Sequence, residues 1–130
     1  MLIKDLIKDT IPPLKFSDTV GKALTWMEDF HVGNLPVVDA GGYIGLLSFQ
    51  SLSSQEHSLL ISSLDISLFD KSFITENRHV YEVMKLMYDK EISVLPVMSE
   101  DANYLGIITL ADVVQYFSGT GTVQDPGGII

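Results

Sequence analysis

The chain of 130 residues contains no cysteine. Disulfides, thiolate metal sites and cysteine nucleophiles are therefore excluded, and the composition fits a cytoplasmic protein. Cations are scarce: 8 Lys and Arg stand against 17 Asp and Glu, a net charge of −9. The few that exist are dispersed. Affinity for nucleic acid depends on clustered cations that neutralise phosphates, so no nucleic-acid partner is expected. No eighteen-residue apolar run is present, which excludes a membrane-spanning helix. The opening MLIKDLIKD is broken by Asp5 and Asp9 and is not a signal peptide. His31, His57 and His79 lie far apart without an i, i+4 partner, so they read as surface residues and no metal site is expected. Nothing resembles a Ser-His-Asp set, a P-loop or paired catalytic carboxylates, and the chain is not read as an enzyme.

What is present is a repeat. Residues 20–38 (VGKALTWMEDFHVGNLPVV) lie over residues 80–98 (VYEVMKLMYDKEISVLPVM) at an offset of sixty. Val20/Val80, Met27/Met87, Asp29/Asp89, Leu35/Leu95, Pro36/Pro96 and Val37/Val97 coincide. After a one-residue insertion, Tyr43-Ile44-Gly45-Leu46-Leu47-Ser48 matches Tyr104-Leu105-Gly106-Ile107-Ile108-Thr109. A long period repeated once implies two copies of one supersecondary unit packed on each other. With 46% hydrophobic residues the pair can build a shared core.

Val20, Ala23, Leu24 and Met27 recur at helical spacing, as do Val80, Val83, Met84 and Met87, so each copy begins with a one-striped helix. Asp18 or Thr19 is the expected cap of the first helix and Asn77 of the second. The methionines are assigned to core or strand positions, and Trp26, beside the stripe, to packing or a dimer contact. Polar patches, His31–Asn34 and Lys90–Ser93, end the helices. Short strands beginning at an edge proline follow, at Leu35–Val38 and Leu95–Met98. Turn residues lead into Tyr43–Leu47 and Tyr104–Ile108, closing a hairpin in each copy. Second helices are predicted near Leu52–Leu64 and Leu110–Phe117, and extended segments at Ile11–Lys15 and Ser72–Thr75 precede the first helices. The fold class is α+β, a tandem of β-α-β-β-α repeats forming a pseudo-twofold pair with a central cleft. The copies divide as residues 1–64 and 65–118, with 65–72 as linker and 119–130 as a flexible tail. Ending on Gly-Gly-Ile-Ile reads as the entrance to another strand, so the natural protein is expected to continue into a further domain.

These residues resemble the cystathionine-β-synthase (CBS) domain pair, or Bateman module. The carriers are Leu35-Pro36-Val37 and Leu95-Pro96-Val97, Asp18-Thr19-Val20, and above all Gly106-Ile107-Ile108-Thr109-Leu110-Ala111-Asp112, which fits the family's Gly-h-h-Thr/Ser-h-h-Asp signature. The resemblance covers residues 1–118 and implies a non-catalytic regulatory module. Its implied ligand is an adenine nucleotide (AMP, ADP or ATP) or S-adenosylmethionine, bound between the copies and signalling by a conformational change. Asp112 would take the ribose hydroxyls and Thr109 the phosphate or ribose. Ile11 and Pro12, with Val32, Gly33 and Asn34 before Pro36, would complete the site. Apolar residues would sandwich the adenine, and free N–H groups at the start of the Leu110 helix would meet the phosphate. The first copy departs from the signature: Gly45-Leu46-Leu47-Ser48-Phe49-Gln50-Ser51 places Ser51 where the family has Asp. At most one good nucleotide site per chain is expected, with Arg78 and His79 as candidate phosphate contacts on the Ser51 side.

Other readings stand beside this one. Thr109-x-x-Asp112 is also a capping box, and Pro36 and Pro96 are explained by fixing the path into their strands. Homodimerisation is expected from the resemblance. A ligand-free dimerisation or interaction scaffold is the alternative function, and a hydrophobic or metal ligand in the cleft is a third.

Overall fold

The computed structural model describes residues 3–120. Helix α1 (Val20–Phe30) is followed by the hairpin β1 (Asn34–Asp39) and β2 (Gly42–Ser48), and by α2 (Phe49–Leu52). The second copy comprises β3 (Ile74–Thr75), α3 (Val80–Lys90), the hairpin β4 (Val94–Met98) and β5 (Tyr104–Thr109), and α4 (Leu110–Thr120). Both hairpins are antiparallel and both slip register just after the valine that follows the proline, at Val37/Val38 and Val97/Met98.

The lead-in segments interlock the copies. Leu14 bridges Val37 in parallel and Ile74–Thr75 pairs with Val97–Met98 in parallel, so each lead-in joins its own hairpin. Just before doing so, each crosses the hairpin of the other copy: Lys8 pairs with Ile107, and Asp70 with Leu46. A single hydrophobic cluster results, containing Leu14, Val20, Met27, Leu35 and Leu47 from one copy and Val80, Met87, Leu95, Ile107 and Ile108 from the other.

The helices start and stop by local chemistry. Thr19 caps α1, its hydroxyl accepting the Lys22 N–H at 3.1 Å. Asp18 serves beside it: burial alone would raise its carboxyl, but hydrogen bonds from Lys22 and the Lys15 N–H, with both lysine charges, hold it below the usual range. Helix α3 is capped by His79 rather than Asn77. The helix begins at Val80, His79 accepts the Tyr81 N–H, and Glu82 reaches back to the His79 N–H, while Asn77 is engaged with Thr75. His31 and Glu91 end α1 and α3 in matching left-handed conformations.

Several expectations are corrected. The second helix predicted at Leu52–Leu64 is one turn, Phe49–Leu52. Ser53 and Ser54 donate back to the Gln50 and Ser51 carbonyls, which competes with helix propagation. The following chain is then captured by the start of α1, where the Val20 and Gly21 N–H groups donate to the Leu59 and His57 carbonyls at 2.9 Å. At the far end α4 runs on to Thr120, beyond the predicted Phe117; the rest of the predicted tail lies outside the described residues. The prolines do not open their strands but sit inside them, buried. The neighbouring segment never needs their missing N–H: Leu14 donates to the Pro36 carbonyl and accepts from Val38, while β3 begins pairing only at Val97. Met84 is 40% exposed, whereas its counterpart Leu24 is buried. Trp26 packs edge-on against Phe30 beneath the Lys22 ammonium.

The hairpin tyrosines give the fold an alkaline limit. Burial pushes the Tyr104 hydroxyl up to about 12; burial, with the charges of Asp70 and Tyr104, raises Tyr43 further. A raised folded pKa means that stability is intact below the unfolded tyrosine value of about 10 and is lost as pH rises through the folded value. The melting temperature is expected to fall steeply above pH 10, and less steeply in Tyr104→Phe. Melts from pH 9 to 12 check this; equal slopes would exclude Tyr104 as the cause.

Candidate functional site

The two hairpins meet where α2 and α4 begin. The Leu110 N–H donates to the Ser93 carbonyl (2.8 Å), and the Phe49 N–H to the Gly33 carbonyl (2.9 Å). Asn34, 8% exposed, closes the junction: its Oδ1 accepts both the Ser93 N–H (3.2 Å) and the Ser93 hydroxyl (3.3 Å).

Thr109, at the end of β5, is buried, and its hydroxyl accepts the Asp112 N–H at 3.1 Å, which makes it the N-cap of α4. The Asp112 carboxylate turns to Lys8, with Oδ2 3.1 Å from Nζ and each side chain about a third exposed. Lys8 is held there by its backbone, which exchanges hydrogen bonds of 2.7 and 2.9 Å with Ile107. Gly106 permits the approach, since a Cβ there would lie 2.6 Å from the Lys8 carbonyl oxygen.

Five of the predicted residues line three hollows that adjoin in series, and the other three, Ile11, Pro12 and Pro36, line none of them. Thr109 and Val32 line a cavity of about 590 Å³ with Ser93, Ala111 and Gln115. Asp112 lines one of about 500 Å³ with residues 5–10, Gln115 and Tyr116. Gly33 and Asn34 line one of about 880 Å³ with Ser48, Phe49 and Ser93. Gln115 is common to the first two, Leu110 and Ser93 to the first and third. Ile11 is buried in the core, Pro12 is exposed, and Pro36 is buried within β1.

The expected run of free N–H groups at the start of α4 is corrected. Of its first three, Leu110 is engaged by Ser93 and Asp112 by Thr109. On the Ser51 side, the Ser48 hydroxyl donates to the Ser51 hydroxyl at 2.9 Å and accepts the Ser51 N–H, so the two serines close on each other. Arg78, just before α3, is paired with Glu82 and lines a separate hollow with Phe73, Ile74 and Thr75, and His79 is the α3 cap. Lys8, Ser93 and Gln115 were not foreseen. Ser93 had a signal, because the repeat aligns it with Gly33. Lys8 lies outside the aligned segments and had none.

Among the described residues no group of His, Cys, Asp or Glu is arranged to hold a metal ion, and no helix is long and apolar enough to cross a membrane.

Paired β-α-β-β-α units with interlocked lead-ins around a cleft define a tandem regulatory-module fold. The CBS domain family matches residues 3–55 and 70–119, and the chain belongs to it. In structure it is similar to a CBS domain pair/ACT domain protein from Thermotoga maritima, with a TM-score of 0.76 at 19% identity over 91% of this chain and 97% of that one. It is also similar to CBSX2 in complex with AMP, with a TM-score of 0.68 at 21% identity over 88% and 94%. The CBS domain of a bacterial CNNM/CorC family Mg²⁺ transporter in complex with ATP gives 0.70 at 14% identity over 92% and 88%. In sequence, the chain is 30% identical over 116 residues to the inosine-5'-monophosphate dehydrogenase of Methanocaldococcus jannaschii, covering 88% of this chain but 22% of the enzyme. The chain thus spans about a fifth of that relative's length. CBS domain pairs are in general regulatory rather than catalytic.

Proposed function

We propose that this pair is a non-catalytic regulatory module that binds an adenosyl ligand (AMP, ADP, ATP or S-adenosylmethionine) beside Asp112 and signals by a conformational change. The copies divide in this reading at residues 1–64 and 65–118. The observation that carries it is the Asp112 carboxylate, held on the first turn of α4, facing a 500 Å³ cavity, with Lys8 on one oxygen only. A carboxylate so placed is a good acceptor for vicinal hydroxyls, because charge-assisted hydrogen bonds are the stronger kind. Related pairs in complex with AMP and with ATP support the reading. The closed Ser48–Ser51 pair leaves the first copy without such an acceptor. Any ligand shifts the pair only by its differential affinity for two states.

The test is a melting-temperature panel with these ligands on the wild type and on Asp112→Ala. A ligand at a hundredfold its Kd adds about 2.7 kcal/mol, several degrees for a domain of this size. The rise is expected in the wild type and lost in Asp112→Ala, whose own fold should suffer by no more than about 1 kcal/mol, since the Lys8 pair is partly exposed. A flat panel in the wild type would overturn the reading.

A specific observation also favours the scaffold alternative. Tyr81, Met84, Tyr88, Leu110 and Val114 are exposed on α3 and α4, around an apolar groove of about 560 Å³. A patch of this kind suits association of two copies. Sedimentation of the ligand-free protein as a dimer that Tyr88→Glu dissociates would support it; a monomer at all concentrations would end it.

A further inference from the structure

Resting on the adenosyl reading above, we propose that the Asp112 cleft selects by charge, taking an uncharged or cationic adenosyl compound and disfavouring nucleoside phosphates. The side chains around the cleft carry this. Lys8 is the only lysine or arginine among the described residues lining the three adjoining hollows, and it already neutralises Asp112. Asp5 and Asp9 line the same cavity as Asp112 and have no lysine or arginine beside them there other than Lys8. A bound phosphate would add negative charge to a net acidic surround within a Debye length, where repulsion is poorly screened.

The usual substitute for cations is missing as well. A helix N-terminus holds phosphate through unsatisfied N–H groups, but at α4 the Ser93 carbonyl and the Thr109 hydroxyl occupy two of the first three. The Asp112 carboxylate itself occupies the first turn, where the helix dipole would otherwise attract an anion. A sulfonium or ammonium group meets the opposite field. Asp5 and Asp9 then become attractive, and an uncharged nucleoside is indifferent to them. The ribose and base contacts are common to all these ligands, so the group on the 5' carbon decides.

Isothermal titration of the whole chain with adenosine, S-adenosylmethionine, AMP and ATP, without divalent cations and at two salt concentrations, tests the idea. AMP is expected to bind about tenfold more weakly than adenosine, and ATP more weakly still, with the gap narrowing at high salt. In the double variant Asp5→Asn/Asp9→Asn the ratio of AMP to adenosine affinity should rise several-fold. Both positions are exposed, and a melting curve confirms that the variant folds. AMP or ATP binding more tightly than adenosine to the wild type, or a ratio unmoved in the variant, overturns charge selection while leaving the adenosyl reading in place. Binding of none of the four ligands overturns both together.

Discussion

Gly106→Ala is expected to destabilise the protein by about 3 kcal/mol or more. Gly106 has φ +149°, a region in which a side chain costs about 1–3 kcal/mol. The new Cβ would also lie 2.6 Å from the Lys8 carbonyl oxygen and 2.9 Å from Ile7 Cγ2. The backbone of the lead-in must retreat, putting at risk both Lys8–Ile107 hydrogen bonds, each worth about 1 kcal/mol. Gly45, the counterpart, has no positive φ, and its Cβ would meet Phe69 Cβ at 2.9 Å and the Asp70 carbonyl oxygen at 3.2 Å. Gly45→Ala should therefore cost less. Urea unfolding of both variants measures the difference, and faster amide exchange at Lys8 and Ile107 in Gly106→Ala would locate it. A loss below about 1 kcal/mol in Gly106→Ala would mean that the crossing is not tight.

Truncation of either strand leucine should unfold both copies at once. Leu35 and Leu95 are fully buried at equivalent positions, facing Leu47 and Ile108 across their hairpins. Leu→Ala at such sites costs about 2–5 kcal/mol through lost transfer energy and the cavity left behind. Because one hydrophobic cluster runs through both copies, and each lead-in pairs with the other copy's hairpin, neither copy retains a complete sheet alone. Calorimetry should show one transition in Leu35→Ala and in Leu95→Ala, shifted down by a similar amount. Two resolved transitions in either variant would show that the copies fold separately.

The same interlocking explains which parts of the site were readable from the sequence. The repeat offset placed the hairpins, the α1 and α3 stripes and the cap at Thr109, because each depends on spacing within a few residues: apolar positions on one helical face, turn residues, a hydroxyl three residues before an N–H. The Asp112 position on α4 followed from the same local order. The short α2 did not follow. Its residues have helical character, but Ser53 and Ser54 bond backwards and the chain beyond is taken by the first turn of α1, a partner some forty residues upstream. His79 displaced Asn77 as a cap for the milder reason that helix boundaries are poorly fixed by sequence.

By itself, then, the sequence determined the two-copy architecture, the asymmetry between Asp112 and Ser51, and the acidic character of the whole chain, since identity and spacing carry all three. Only the tertiary structure decided that Lys8 sits on Asp112, that Asn34 is used to join Ser93 across the copies, that the Leu110 N–H is taken by the Ser93 carbonyl, and that the acidic side chains of residues 5–9 gather around the cleft. Each of those depends on which segments cross. Crossing is set by long-range burial of a shared core and by backbone pairing between residues as far apart as Lys8 and Ile107, a relation that no local pattern in the chain encodes.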